Sequence, residues 1–413
     1  MKTGCMGTFS LINRMKRCLY PRWKVIKNHP VPGFKPLLLL LVLLLGMMLL
    51  PGCFGMANVP KGWSGVVVVD EVLFVFSMEG KLVADNVTDG SRLWEVQLVE
   101  SQSSGGLLGC APASAAVAVY GSPAVSGNIT YIGGYTGKVY ALVFNRDEPR
   151  WVYPREGYLG AAIVGGLVVH QDEVYLATSD GRVMALNAAD GYREWVCDEI
   201  GDKVWSTPVI EGNTLFIGSF DNKLYAIDIN DGSKRWEFET EGAIVATPLV
   251  YDNTVYFGSF DRHIYAVDIT SGEQVWKFPA SEEDEIIPGN WFWSRPVIYN
   301  GVLYAACLDG KVYVIDANSG RSTAGVDYYD LGSSISSSPV VVGDLVIVAS
   351  EEGIVYALDT GDYQKRQLAN LEEKIQAPLA AAQGMVFVHT AKDVLHTIDT
   401  ETGAVRSFTL SNE

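Results

Sequence analysis

From about residue 60 onward, the chain alternates apolar and polar positions in short runs broken by Gly, Asn and Asp. Alternation with a period of two belongs to half-buried strands, and such interruptions belong to the turns between them. Residues 205–236 read WSTPVIEGNTLFIGSFDNKLYAIDINDGSKRW, which predicts four strands. These are Pro208 to Ile210, Thr214 to Ser219, Lys223 to Asp228 and Ser233 to Phe238. Glu211-Gly212-Asn213 and Asp221-Asn222 supply hairpin punctuation between antiparallel neighbours. Pro208 opens the first strand, where a missing N–H is tolerated because the innermost strand has a free edge.

The same pattern returns at once in residues 245–276. Phe216, Tyr225, Asp228, Gly232 and Trp236 recur forty positions later as Tyr256, Tyr265, Asp268, Gly272 and Trp276. A repeat of that period, made of four short strands, predicts a radial array of four-stranded blades rather than one layered core. Counting onward gives eight: 63–94, 121–151, 165–195, 205–236, 245–276, 293 to about 331, 336 to about 368, and 375–410. The expected fold is therefore all-β, an eight-bladed propeller over residues 60–413. It carries a Ser/Gly/Ala-rich insertion at 99–119 and an acidic one at 279–292.

Within each copy the spacing Ala-x-Asp-x-x-x-Gly-x-x-x-Trp has a physical reading. The Asp caps a turn, and the Gly supplies a positive φ there. Trp94, Trp151, Trp195, Trp236 and Trp276 then bring large flat rings to the outer strand, where packing between neighbouring blades is the expected role. A row of cofactor-stacking indoles does not suit residues spread around a ring. Asn86 and Asn187 stand for the Asp in two copies. By count, Ala324, Gln367 and Ser407 replace the Trp in the last three, so the outer packing there is expected to differ. This motif, preceded by Tyr-x-Gly-Ser-x-Asp-x-x-Leu/Ile-Tyr, resembles the repeat of the quinoprotein (PQQ-type) β-propeller superfamily. The likeness covers nearly the whole chain after residue 60.

Residues 1–53 carry eight Lys or Arg and no acid, then the apolar run Leu37 to Leu50, then Pro51-Gly52-Cys53. A basic flank, a hydrophobic core and a small-residue site read as an export signal. The ending is similar to a bacterial lipobox, in which Cys53 would be lipidated, although Pro51 departs from the usual residue there. The alternative is an uncleaved anchor helix over residues 37–56. Either puts the propeller outside the cell, membrane-anchored, with the basic flank inside. The whole chain has a net charge of −17; removing eight of its 31 cations leaves 23 against 48 acids, or −25. That balance argues against nucleic acid as a partner. Cys110, Cys197 and Cys307 remain in the exported part, and an odd count is no disulfide framework.

Three positions before each first-strand Pro site stand Trp63, Tyr120, Val164, Trp205, Val245, Trp293, Ser336 and Ile375, with Trp291 close by and Arg295 following. If equivalent positions face alike, Trp63, Tyr120, Trp205, Trp291, Trp293 and Arg295 form an aromatic collar at one mouth of the axial channel. Aromatic residues with an Arg have the composition of interface hot spots; packing around a tapering centre is the plain alternative. Catalytic signals are weak. His170, His263, His389 and His396 lack metal-ligand spacing, and Glu282-Glu283-Asp284-Glu285 lacks the alternation of a calcium loop.

The resemblance implies two functions. One is a non-catalytic envelope scaffold like the BamB-like lipoproteins of this superfamily, which bind protein partners in outer-membrane protein assembly and need no cofactor. The other is a dehydrogenase using pyrroloquinoline quinone and Ca²⁺; those enzymes commonly place an adjacent cysteine pair over the quinone, which this chain lacks. A surface ligand or polysaccharide binder using the collar is a third possibility. The residues favour the scaffold.

Overall fold

The computed structural model describes residues 62–101, 114–281, 283–323 and 325–410. Cys53, the 37–56 segment, Cys110 and Ala324 lie outside these residues. The described chain builds eight four-stranded antiparallel sheets, each from four consecutive strands, spanning 67–97, 124–153, 168–197, 209–239, 249–278, 297–330, 340–370 and 380–409. The expected eight-bladed propeller is therefore the observed one. Part of the 99–119 insertion forms a further two-stranded ladder, Val99–Ser101 with Ser114–Ala116.

Blade four shows why the repeat folds this way. Its strands are Val209–Glu211, Thr214–Gly218, Lys223–Asp228 and Lys234–Glu239. The middle two are buried on both faces, because each blade is sandwiched between two others, whereas the outer strand alternates. Leu215 and Ile217 pack with Tyr175 and Val183 of blade three. Phe216 and Leu224 pack with Val255 and Phe257 of blade five. The core is thus a circle of interblade layers, and full burial of one large side chain in such a layer stabilises by about 1.5–3 kcal/mol. A last layer joins Leu73, Val75 and Val83 of blade one to Phe387, Leu395 and Phe408 of blade eight, closing the ring.

The repeat motif explains the outer seams. Asp228 Oδ1 accepts the Asn230 N–H at 2.9 Å, and Asn187 makes the same turn contact with Ala189 at 3.0 Å. Gly232 follows with φ 75°. A Cβ there would stand 2.5 Å from the Trp195 ring, so glycine is required twice over, by backbone and by contact. Trp195 Nε1 donates to Ile229 O at 2.7 Å, and Trp151, Trp236 and Trp276 bond the next blade's Ala188, Ile269 and Ala317 carbonyls likewise. Ala226 sits opposite Trp236 in the ladder, the small residue leaving room for the indole.

Counting along the sequence misplaced two of the three replacements. In blade seven the ladder sets Arg366, not Gln367, opposite Ala357, because its bulge falls between Val355 and Tyr356 rather than two pairs later. Arg366 donates to Thr400 O at 2.8 Å and Glu401 O at 3.2 Å, doing the indole's bonding. In blade eight Arg406, not Ser407, faces Thr397 in a ladder whose pairing is uninterrupted, and it reaches Thr88 O of blade one.

Candidate functional site

Seven of the eight collar positions line one axial cavity of about 270 Å³: Trp63, Tyr120, Val164, Trp205, Val245, Trp293 and Ser336. The eighth, Ile375, turns into the layer between blades seven and eight, and Gln376 lines the cavity instead. Trp291 is not part of the lining. It lies on the rim, 45% exposed, stacked on Phe260 with ring centroids 4.4 Å apart.

Phe260 was not among the expected residues, nor were Phe220 and Tyr135. All three occupy one repeat position, the residue just after the Gly-Ser or Gly-Gly that ends the second strand. The signal was present in the recurring Gly-Ser-Phe-Asp, whose Phe has no role in a hairpin turn. These rings tie the collar into two groups. On one side Trp205 packs on Phe220 (4.8 Å) and on Trp293 (6.4 Å), and Phe260 joins Phe220 (6.3 Å) to Trp293 (5.7 Å). Across the mouth, Tyr120 packs on Trp63 (4.6 Å) and on Tyr135 (5.2 Å).

Half-buried carboxylates pin the loops that carry these rings. Asp221 Oδ2 accepts both the Tyr225 hydroxyl (2.6 Å) and the Gly201 N–H (2.7 Å), fixing the loop that leads to Trp205. Asp309 repeats this with Tyr313 (2.6 Å) and Gly289 (2.8 Å), fixing the end of the acidic insertion before Trp291. Asp261 does so with Tyr265 and Glu241. Burial pushes the Asp261 carboxyl up, but hydrogen bonds from His263, Tyr265 and two backbone N–H groups outweigh it and hold it below the usual value. Burial and the neighbouring carboxylate push the Tyr225 phenol well up, so it stays a hydrogen-bond donor.

Below the collar the inner strands nearly touch. A Cβ on Gly165 would lie 2.4 Å from Ser206 O, so only glycine lets the two backbones meet. Hydroxyls of the following blade accept across the gaps, Gly166 N–H to Thr207 (2.8 Å) and Arg295 N–H to Ser338 (3.2 Å). A second compartment of about 490 Å³ continues along the axis and shares Ser122, Gly166, Thr207, Thr247, Arg295, Ser338 and Pro378 with the first. Among the described residues, Arg295 is the one charged residue lining either compartment. By surface area Arg295 is exposed, while the walls around it lower its pKa, burial being the sole cause.

The histidines lie elsewhere. His389, fully buried, places Nδ1 2.8 Å from Ser64 O and Nε2 3.0 Å from Asp393 Oδ1, which also accepts the Met78 N–H. It therefore locks blade eight to blade one. His396 Nδ1 pairs with the Ser407 hydroxyl at 2.8 Å, a structural role. Among the described residues no group of three or more His, Cys, Asp or Glu is placed to hold a metal ion. Cys197 and Cys307 are both buried and free.

Known proteins bear on this architecture. Curated relatives named outer membrane protein assembly factor BamB match parts of the chain. That of Marinobacter adhaerens is 29% identical over 128 residues, 30% of this chain and 31% of its own length. That of Taylorella asinigenitalis is 26% identical over 172 residues, 41% and 42% of the two. The chain thus spans about a third to two fifths of these relatives in the matched segments. The crystal structure of BamB from Moraxella catarrhalis superposes with TM-score 0.63 at 18% identity, covering 84% of this chain and 95% of that one. A europium-containing methanol dehydrogenase superposes with TM-score 0.59 at 14% identity over 81% of each, so the fold alone does not separate scaffold from enzyme. The model of the family described as outer membrane protein assembly factor BamB matches residues 56–196 and 198–407, and the chain belongs to that family.

Proposed function

We propose that this chain is a non-catalytic, exported scaffold, anchored to a membrane through Cys53 or residues 37–56, that docks a cell-envelope protein and serves outer-membrane protein assembly. Its relatives' name gives the role, and one observation carries the docking surface. Trp63, Tyr120, Trp205 and Trp293, with Trp291 stacked at the rim, converge on a single mouth, where packing alone gives no reason to leave Trp291 45% exposed. Clustered aromatics with an Arg supply most of the binding energy of protein interfaces.

A calcium-linked quinone fits these residues poorly. Among the described residues no Asp, Glu or Cys lines either axial compartment, so the acids and the cysteine pair such a group would need are not among them. The residues present bind and orient; they include no nucleophile beside a base.

The test is a pull-down with the full-length, detergent-purified chain against native membranes, comparing wild type with Trp205→Ala/Trp293→Ala. Loss of a specific envelope protein with little change in melting temperature supports docking. Retention of every partner, or a collapse in melting temperature, assigns the collar to packing. Saturable quinone uptake with Ca²⁺ and dye reduction would replace the scaffold reading with an enzymatic one.

A further inference from the structure

The cation in the throat has no counterpart. Arg295 lines both axial compartments, and everything else around it is neutral: Ser122, Thr207, Thr247, Ser338, Gly166 and Pro378. Its backbone N–H bonds Ser338, and among the described residues no ion pair engages its guanidinium. Two other arginines do have acidic partners, Arg235 with Asp228 at 2.7 Å and Arg182 with Asp180 at 2.7 Å. A guanidinium stays charged at any physiological pH and presents a planar fork of donors matched to a carboxylate. Among neutral walls and exposed to the channel, it can pair with an arriving anion.

The shape of the site limits the anion. The outer compartment of about 270 Å³ has room for little more than one residue, and the second, of about 490 Å³, continues along the axis with Arg295 lining both. The apolar surface does not stop there. It runs outward from Trp205 and Trp293 over Phe260 to exposed Trp291. An occupant using all of it is longer than the cavity and lies partly outside, as an extended chain does. A chain end needs one passage through the mouth, whereas an internal acidic residue would have to enter and return.

We propose that the axial mouth is a binding site for the C-terminal carboxylate of a polypeptide, with Arg295 pairing the carboxylate and the Trp205–Phe260–Trp293–Trp291 rings packing the apolar residues before it. The proposal rests on the docking reading above and names the part of the partner that enters. Capture of chain ends by fixed donors is a known recognition mode. The ring of Ser and Thr hydroxyls supplies further donors to the second carboxylate oxygen.

The experiment uses the full-length chain in detergent and isothermal titration with acetyl-Ala-Leu-Leu as free acid, the same peptide as C-terminal amide, and acetate. The free acid is expected to bind at least tenfold tighter than the amide, with the preference falling as salt rises. Arg295→Gln should abolish the preference, and Arg295→Lys, which keeps the charge but not the fork, should retain part of it. Equal binding of acid and amide, no binding of either, acetate as tight as the peptide, or a preference that survives Arg295→Gln would each overturn the assignment. If Arg295→Gln fails to fold, the lysine variant and the wild-type acid–amide comparison still decide. A failure here with a partner still lost in Trp205→Ala/Trp293→Ala would leave the docking surface standing and remove only the carboxylate.

Discussion

The two halves of the ring solve one problem differently. From blade two to blade six, each seam sets an indole flat on a glycine of the next blade: Trp151 on Gly191, Trp195 on Gly232, Trp236 on Gly272 and Trp276 on Gly320. From blade six round to blade one the indole is gone. Tyr363 of blade seven now brings the ring, and Gly325 of blade six receives it, with a Cβ at Gly325 only 2.1 Å from the Tyr363 ring. Thereafter Arg366 and Arg406 reach the carbonyls, and at the closing seam the Phe408 ring takes the face of Gly90. At these seams a flat group meets a bare backbone, except between blades seven and eight, where Gly403 lies beside the Leu368 carbonyl. Which blade supplies each part is free.

Blade one to two is an intermediate case. Trp94 meets Phe144 at 5.4 Å, the glycine position holds Asp147, and the buried Trp94 Nε1 has no partner among the described residues. An indole without its carbonyl keeps the burial term and loses the hydrogen bond.

The comparison can be broken hardest at a regular seam. Trp195→Ala should cost roughly 3–5 kcal/mol in denaturant unfolding, through the lost ring and an orphaned Ile229 carbonyl. A cost near that of an exposed substitution would show that the indole seams are dispensable. His389→Ala at the closing seam should cost about as much, roughly 3–5 kcal/mol, because it empties a fully buried site and leaves the Asp393 carboxylate with the Met78 N–H alone. If closure rests on the apolar layer alone, that variant unfolds like wild type.

Smaller effects sharpen the contrast. Trp195→Phe should destabilise by about 1 kcal/mol more than Trp94→Phe, since only the first loses a hydrogen bond. Equal costs would mean that the indole N–H is not what the seam uses. Arg366→Gln, at an exposed position, should cost no more than about 1 kcal/mol.

Acid should act unevenly around the ring. The turn N–H groups hold the Asp228, Asp268, Asp359 and Asp399 carboxyls below their ordinary value, and the Ser319 hydroxyl and N–H do so for Asp316. A depressed carboxyl contributes stability that is complete above the unfolded value near 3.8 and is lost as pH falls through the lower folded value. Blades one and three carry Asn86 and Asn187 at that position, so the position itself does not titrate, although Asp89 in the first of these turns is held low by Ser91. Replacing Asp268 by Asn should flatten the acid limb of the stability profile below about pH 4. An unchanged acid midpoint would show that these turns do not govern it.

The sequence alone settled the architecture, because each blade is written by local rules: a period of two, hairpin turns, a capping Asp, and a Gly and a Trp at fixed spacing. It also put six of the collar's polar and aromatic positions on one list. It could not place Trp291 on the rim rather than in the lining, turn Ile375 away, or bring Phe220 and Phe260 into the cluster, since those contacts join residues of different blades. The register of the last two seams was hidden for a related reason. Where the bulge falls, or whether there is one, decides if Arg366 or Gln367, Arg406 or Ser407, takes the indole's place, and that is fixed by packing between sheets. Repetition is a local property and can be read along the chain. The neutrality around Arg295 is a property of eight strands meeting on one axis, and it exists only once the ring has closed.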